Sequence, residues 1–399
     1  MRSPSYGETS WRRLYNDSER DGQTRPATGP GDEMNETDTV VDAAALRRFV
    51  ADVFEAVGMA GDDAAITADV LVTADLRGHE SHGVARMERY YVRPMQSGQI
   101  QARASLVTVR ETAATLVLDA QNGMGHPAAK RAMDLCIAKA REAGTCVAVV
   151  RHSNHYGIAG YYPLLAAAHD MIGVCSTTAG TLVVPTGGRN ALLGTNPIAF
   201  AAPANRHRPF MLDMATSVVP VGKIEVKARR GEPLPLGWAV DEQGQPTLDA
   251  RGVLDRVHDG PLVGGGLAPL GGLEAGHKGY GLAAMVDILC GLLAGAQASV
   301  RLSEHMRRGE DADVGHLVAA MDIAAFAPVE EFKQAMDAYI DVLHAAPPAK
   351  GRDRVLVAGD PEFETEQRRE REGIPLHRTV RESLQTLGRE FGVLLPPGI

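Results

Sequence analysis

The sequence predicts a mixed α/β (α+β) protein, a helical N-terminal part followed by a sheet-rich lobe. Three observations carry this. Apolar residues recur at helical spacing through residues 42–76, and from Cys146 the pattern changes to short β-rich runs divided by loops rich in Gly, Asn, Thr and Pro. No strand-turn-helix unit opens on G-x-G-x-x-G, because Gly264-Gly265-Gly266 and Gly271-Gly272 have neither its spacing nor its context, so an ordinary Rossmann domain is not supported. The expected organisation is a tail over 1–38, a helical part over 39–145, a sheet-rich domain over 146–295 and a C-terminal segment over 296–399 that returns to the first part.

Residues 1–38 are rich in Ser, Gly, Pro, Asp and Arg and nearly lack aliphatics. Such a segment buries too little surface to offset its ordering entropy, so a disordered tail is expected, with Met34 as an alternative start. Asp42 is an N-cap candidate, and Leu46, Phe49, Val50, Val53, Phe54 and Val57 line one face of a helix that stops at Gly58. A second helix reads from Asp63 to Leu76, ahead of Gly78. A third is expected from Ser81 to Tyr91, before Pro94. Alternation over 106–118 predicts a hairpin, and Pro127 suits the start of a helix ending at Gly144. Strands are expected at 147–150, 172–175, 197–201 and 210–212. A glycine-rich loop over 264–272 leads to an apolar helix over 280–293, and another helix is expected over 329–343 before a charged stretch at 364–372.

Composition excludes several classes. A chain of 399 residues, 44% hydrophobic, buries a large core. Its net charge of −9 and scattered Lys and Arg argue against a nucleic-acid partner, which demands clustered cations. No apolar run approaches the roughly 18 residues that span a bilayer, so no membrane role is expected. Arg12 and Arg13 are followed by no apolar stretch and sit among Glu8, Asp17 and Glu19, which disfavours a targeting peptide. The four cysteines (Cys136, Cys146, Cys175, Cys290) form no C-x-x-C pair and read as reduced core thiols of a cytoplasmic protein.

Four segments hold chemistry-bearing residues. In the first, Arg77 to Arg86, a glycine turn delivers Ser81 and His82 to an expected helix start, with Arg86 four positions on and on the same face. An imidazole beside a guanidinium suits a substrate whose carboxylate adjoins a carbonyl: the guanidinium forks onto the carboxylate and the imidazole exchanges a proton with the carbonyl oxygen. The alternative is a packing histidine and a surface cation. The second segment, Arg151 to Gly157, follows a strand, where α/β folds place ligands; His155 there is a proton-transfer or ligand-wall candidate, or a structural loop histidine. His79 and His82, and His152 and His155, each show His-x-x-His spacing. Without H-E-x-x-H or a cysteine at ligand spacing, no metal site is expected. The third, Leu193 to Phe200 with Phe210 to Ser217, brings small residues and hydroxyls after a strand ending at Asp213, which allows close approach of phosphate or ribose. In the fourth, Gly276 to Leu282, Lys278 stands at a glycine-bounded helix start, suited to a phosphate, or else is simply solvated.

In this order the segments resemble the malate/L-lactate dehydrogenase family, most specifically in Glu80-Ser81-His82-Gly83, Ser153-Asn154-His155-Tyr156-Gly157, Leu193 to Pro197, Asp213 to Ser217, Gly237-Trp238 with Gly244-Gln245-Pro246-Thr247, and His277 to Gly281. The match runs over 41–293 and resumes weakly over 353–376. The resemblance implies a non-Rossmann NAD(P)-binding fold with a largely antiparallel sheet over 146–295, a substrate and dimerisation domain around it, and a homodimer. It implies NAD or NADP as cofactor, and a small 2-oxo/2-hydroxy acid or cyclic imino acid as substrate. It also implies His82 as proton donor and acceptor, Ser81 and Arg86 as substrate contacts, and His155 and Asp213 as active-site partners, with Asp213 orienting the catalytic histidine and favouring its protonated form. Met214, Ala215, Thr216, Ser217, Lys278, Gly359 and Asp360 are the implied cofactor contacts. Two departures stand out: residues 294–308 are basic and polar where relatives continue rich in glycine, and Ala358-Gly359-Asp360 replaces a common Pro-Gly-Glu. These motivate a second reading, a catalytically silent metabolite-binding or partner protein, with a metal-dependent hydrolase a distant third.

Overall fold

The computed structural model describes residues 39–259 and 264–399; the expected tail over 1–38 lies outside the described residues. A short strand β1 (Thr39–Val41) leads into helix α1 (Ala43–Val57), capped as expected, with Ala45 N–H donating to Asp42 Oδ1 at 2.7 Å and the helix ending on Gly58 in the left-handed region. Helix α2 (Gly61–Leu76) is buried on most sides, and its burial extends to Asp63, Thr67, Thr73 and Asp75.

The expected third helix over 81–91 does not form as one element. Glu80–His82 and Val84–Arg86 are single 3₁₀ turns parted by extended Gly83, and a π turn at Met87–Val92 continues into α3 (Arg93–Gln96). The cause is Asp75. Its buried carboxylate accepts the Val84 N–H at 2.9 Å, and its Oδ1 lies 1.9 Å from where a Cβ on Gly83 would stand. The backbone is thus drawn against the end of α2 instead of coiling on, and only glycine permits the approach.

A hairpin, β2 (Val107–Glu111) and β3 (Thr115–Asp119), precedes α4 (Gly125–Ala143), which begins two residues before Pro127. Then follow β4 (Thr145–Ser153), α5 (Tyr161–Ala167), β5 (Met171–Thr177), β6 (Ile198–Ala202) and β7 (Phe210–Met214). Next come α6 (Val221–Arg230), β8 (Ala239–Val240), α7 (Ala250–Asp259), β9 (Gly266–Leu267), α8 (Gly272–Ala275) and α9 (His277–Val286), which runs on into a π turn at Asp287–Leu292. The chain closes with α10 (Ser299–Arg308), β10 (Val314–Asp322), α11 (Val329–His344), α12 (Asp360–Glu372), β11 (Ile374–Leu376) and α13 (Arg378–Phe391).

Seven strands form one mixed sheet in the order β2-β3-β4-β10-β5-β6-β7, parallel at β3–β4 and antiparallel at every other pairing. Its central strand, β10, comes from the C-terminal quarter of the chain and was not expected there. The run from Val314 to Met321 is buried throughout except at Met321, so it lacks the alternation that marks a half-exposed strand. β1 pairs antiparallel with β11, and Ile374, Leu376, Leu384 and Leu387 share one apolar cluster with Leu46, Phe49, Val50 and Leu71. A second cluster, between the sheet and helices α4 and α5, takes in Cys136, Cys146 and Cys175. All four cysteines are buried and unbridged. Among the described residues no helix is long and apolar enough to cross a membrane.

Candidate active site

The 3₁₀ turns after α2 set the first side of the site. Ser81 Oγ lies 2.9 Å from His82 Nδ1, and Arg86 donates through Nε to the Ser81 carbonyl while its guanidinium stacks 4.3 Å from the centre of the Tyr90 ring. One edge of Arg86 is thereby fixed. Its terminal amino groups and His82 Nε2 have no hydrogen-bond partner among the described residues. Burial, reinforced by the Arg86 charge and by His79, pushes the His82 pKa down to about 3, so the imidazole is neutral at ordinary pH.

The segment beneath is pinned from the C-terminal helix α12. Arg369 donates to the Asp75 carbonyl and, at 2.6 Å, to Glu80, while Arg77 pairs with Glu366 at 3.1 Å. Burial raises the Asp75 pKa to about 8, a shift that the Val84 N–H opposes. Neither Asp75 nor this clamp was read from the sequence. The available signal was an acid within the apolar run of α2, eight residues ahead of Gly83.

The end of β4 supplies the second side. His155 stacks on His82 with ring centres 5.6 Å apart and planes 23° apart, bringing together the two histidines that sequence reasoning singled out. Its Nδ1 lies 2.6 Å from the Tyr91 hydroxyl and 3.3 Å from the Gly157 nitrogen. Burial, with His82 and Arg86 nearby, holds the His155 pKa well below the ordinary histidine value. The His-x-x-His partners face elsewhere: His152 pairs with Asp119 at 2.9 Å, and His79 Nε2 lies 3.8 Å from Glu362. Among the described residues no group of three or more His, Cys, Asp or Glu side chains is arranged to hold a metal ion.

Asp213, near the end of β7, accepts the Gly160 N–H at 2.7 Å. Its carboxyl is raised by burial, and the charges that act against the rise belong to His79 and Arg77. No hydrogen bond joins Asp213 to His82 or His155 among the described residues.

The implied cofactor residues fall into three places. Met214 and Ala215 are half-buried at the end of β7. Thr216 and Ser217 are buried, and their hydroxyls are turned inward, Thr216 Oγ1 onto the Thr195 carbonyl at 2.9 Å and Ser217 Oγ onto that of Val219 at 2.8 Å. Lys278 is exposed in the first turn of α9, with no ion pair among the described residues, and a Cβ added to Gly281, one turn along, would meet nothing within 4 Å. Gly359 and Asp360 start α12 against β7: Ala358 accepts the Met211 N–H at 3.0 Å, Gly359 has φ +102°, and Asp360 is held by His344 at 2.7 Å.

The family model described as malate/L-lactate dehydrogenase matches residues 41–385. Malate dehydrogenase of Pyrococcus horikoshii is 42% identical over 351 residues, covering 87% of this chain and 94% of that protein. L-sulfolactate dehydrogenase of Methanocaldococcus jannaschii is 35% identical, covering 87% of this chain and 96% of its own. Among solved structures, malate dehydrogenase of Entamoeba histolytica superposes with a TM-score of 0.87 at 34% identity, covering 90% of this chain and 99% of that one. Delta1-piperideine-2-carboxylate reductase of Pseudomonas syringae reaches 0.76 at 30% identity, covering 87% and 99%.

Proposed function

Because this chain belongs to the malate/L-lactate dehydrogenase family, we propose that it is a pyridine-nucleotide oxidoreductase acting at C2 of a small 2-hydroxy or 2-oxo acid, or of a cyclic imino acid. The observation that carries the reading is the meeting of neutral His82, stacked His155 and the unpartnered fork of Arg86 at one edge. Arg86 offers two parallel N–H groups to a carboxylate, with its plane held by Tyr90 and Ser81. His82 stands where the oxygen, or imine nitrogen, on the adjoining carbon comes to lie. Being neutral, it takes a proton from a 2-hydroxyl when Nε2 is bare, the tautomer in which Ser81 Oγ accepts from Nδ1–H. In the reverse direction the same atom returns the proton. Desolvation keeps the ring neutral between turnovers, while an anionic substrate draws the proton on.

The residues present fit a nicotinamide nucleotide. Lys278 would meet a phosphate beside the open side of Gly281, and the backbone of Met214 to Ser217 would receive the nucleotide where Ala215, Thr216 and Ser217 are small. Gly359 and Asp360 border the start of β7. Thr216 and Ser217 shape the loop through their inward bonds, so their contribution is made by backbone atoms. A nicotinamide nucleotide held by these residues would supply or accept the hydride at substrate C2. We further propose a homodimer, with NAD and NADP both as candidates.

A panel of 2-oxo acids (pyruvate, oxaloacetate, sulfopyruvate) and cyclic imines, each with NADH and with NADPH, tests the reading by loss of absorbance of the reduced nucleotide. Oxidation with at least one pair is expected. Silence across the whole panel, from folded protein, overturns it.

A further inference from the structure

Two hydrogen-bond donors converge on one atom of His155. The Gly157 N–H lies 3.3 Å from Nδ1, in a turn where Gly157 has φ +79° and a Cβ would come within 2.7 Å of Val70 Cγ1. The Tyr91 hydroxyl lies 2.6 Å from the same nitrogen. An amide N–H has no acceptor capacity, so it faces Nδ1 favourably only when that nitrogen bears a lone pair and no hydrogen. The Tyr91 hydroxyl must then be the donor of the shorter bond. A neutral imidazole with a bare Nδ1 carries its proton on Nε2.

Tyr91 is fully buried and has no freedom to leave. Its ring packs edge-on against His126, 5.0 Å between centres, and tilts against Phe54 at 6.5 Å. Burial raises its own pKa, which keeps the hydroxyl a donor. His155 Nε2, at the other end of the ring, has no partner among the described residues.

We propose that Tyr91 is a positioning residue that locks His155 in its Nε2–H form, so that His155 gives the substrate a fixed hydrogen bond while proton transfer falls to His82. The two stacked histidines therefore divide the work. His82, whose Nδ1 meets a serine hydroxyl able to donate or accept, is free to change tautomer; His155, facing an amide that only donates, is not. The inference rests on the substrate site proposed above at His82, on which His155 stacks, but the tautomer is a property of the ligand-free protein and is read without any substrate.

The test is a two-bond proton–nitrogen correlation spectrum of protein labelled with ¹⁵N-histidine at neutral pH, with the His155 signal identified by its loss in His155→Gln. The wild type is expected to show Nε2 protonated and Nδ1 as an acceptor. In Tyr91→Phe, which keeps the ring and removes only the hydroxyl, Nδ1 is expected to move toward the free-acceptor position and the second tautomer to appear. The kcat for an accepted 2-oxo acid is expected to fall roughly tenfold, with the nucleotide KM unmoved. A wild-type His155 protonated on Nδ1, or a Tyr91→Phe protein with an unaltered His155 signal, overturns the proposal. Absence of turnover in the substrate panel would remove the functional reading and leave the tautomer assignment standing.

Discussion

The sequence singled out the turns at 80–92 for Ser81, His82 and Arg86 and the loop at 213–217 for its small residues and hydroxyls, yet the two deploy their side chains oppositely. In the first, Ser81, His82 and Arg86 bond to one another or to adjacent backbone and leave His82 Nε2 and the Arg86 fork unpartnered. In the second, the hydroxyls of Thr216 and Ser217 are consumed by the carbonyls of Thr195, Asn196 and Val219. A hydroxyl in a motif thus does not by itself identify a ligand contact. In one region polar side-chain atoms are left unpartnered, and in the other they fold the loop.

The comparison breaks most visibly at Arg86. Replacing it with Gln removes a charged fork, whose bonds are worth about 1.5–3 kcal/mol each. The kcat/KM for a 2-oxo acid is expected to fall about a hundredfold in steady-state assays, with the nucleotide KM unchanged. A loss shared equally by acid and nucleotide would remove Arg86 from carboxylate binding. Thr216→Val probes the other side. It keeps shape and deletes the inward bond, so denaturant unfolding is expected to show a loss of about 1–2 kcal/mol while nucleotide affinity stays near wild type. Weakened nucleotide binding at unchanged stability would place the hydroxyl on the ligand instead.

Much of this arrangement was legible in the sequence where local rules decide. The Asp42 cap, the Gly58 stop and the strand expected at 147–150, which lies within β4, follow from residue type and spacing. Tertiary contacts overrode those rules elsewhere. The helix expected over 81–91 yielded to Asp75, whose carboxylate bonds Val84 across nine positions, and nothing in a helical pattern signals such a reach. β10 was hidden because a strand buried on both faces has no period. His82 and His155 were singled out separately, but their stacking, and Tyr91 behind them, required the fold. The contact of Asp213 with the Gly160 N–H likewise required the fold.

The central claim is that His82 moves the proton and does not build the nucleotide site. Its most direct measurement is turnover of His82→Asn with an accepted 2-oxo acid, alongside fluorescence titration of the same variant with the reduced nucleotide. General acid–base groups contribute about 10²- to 10⁴-fold, so turnover is predicted to fall by roughly a thousandfold while the nucleotide binds as in the wild type. Turnover within a few-fold of wild type would contradict the account.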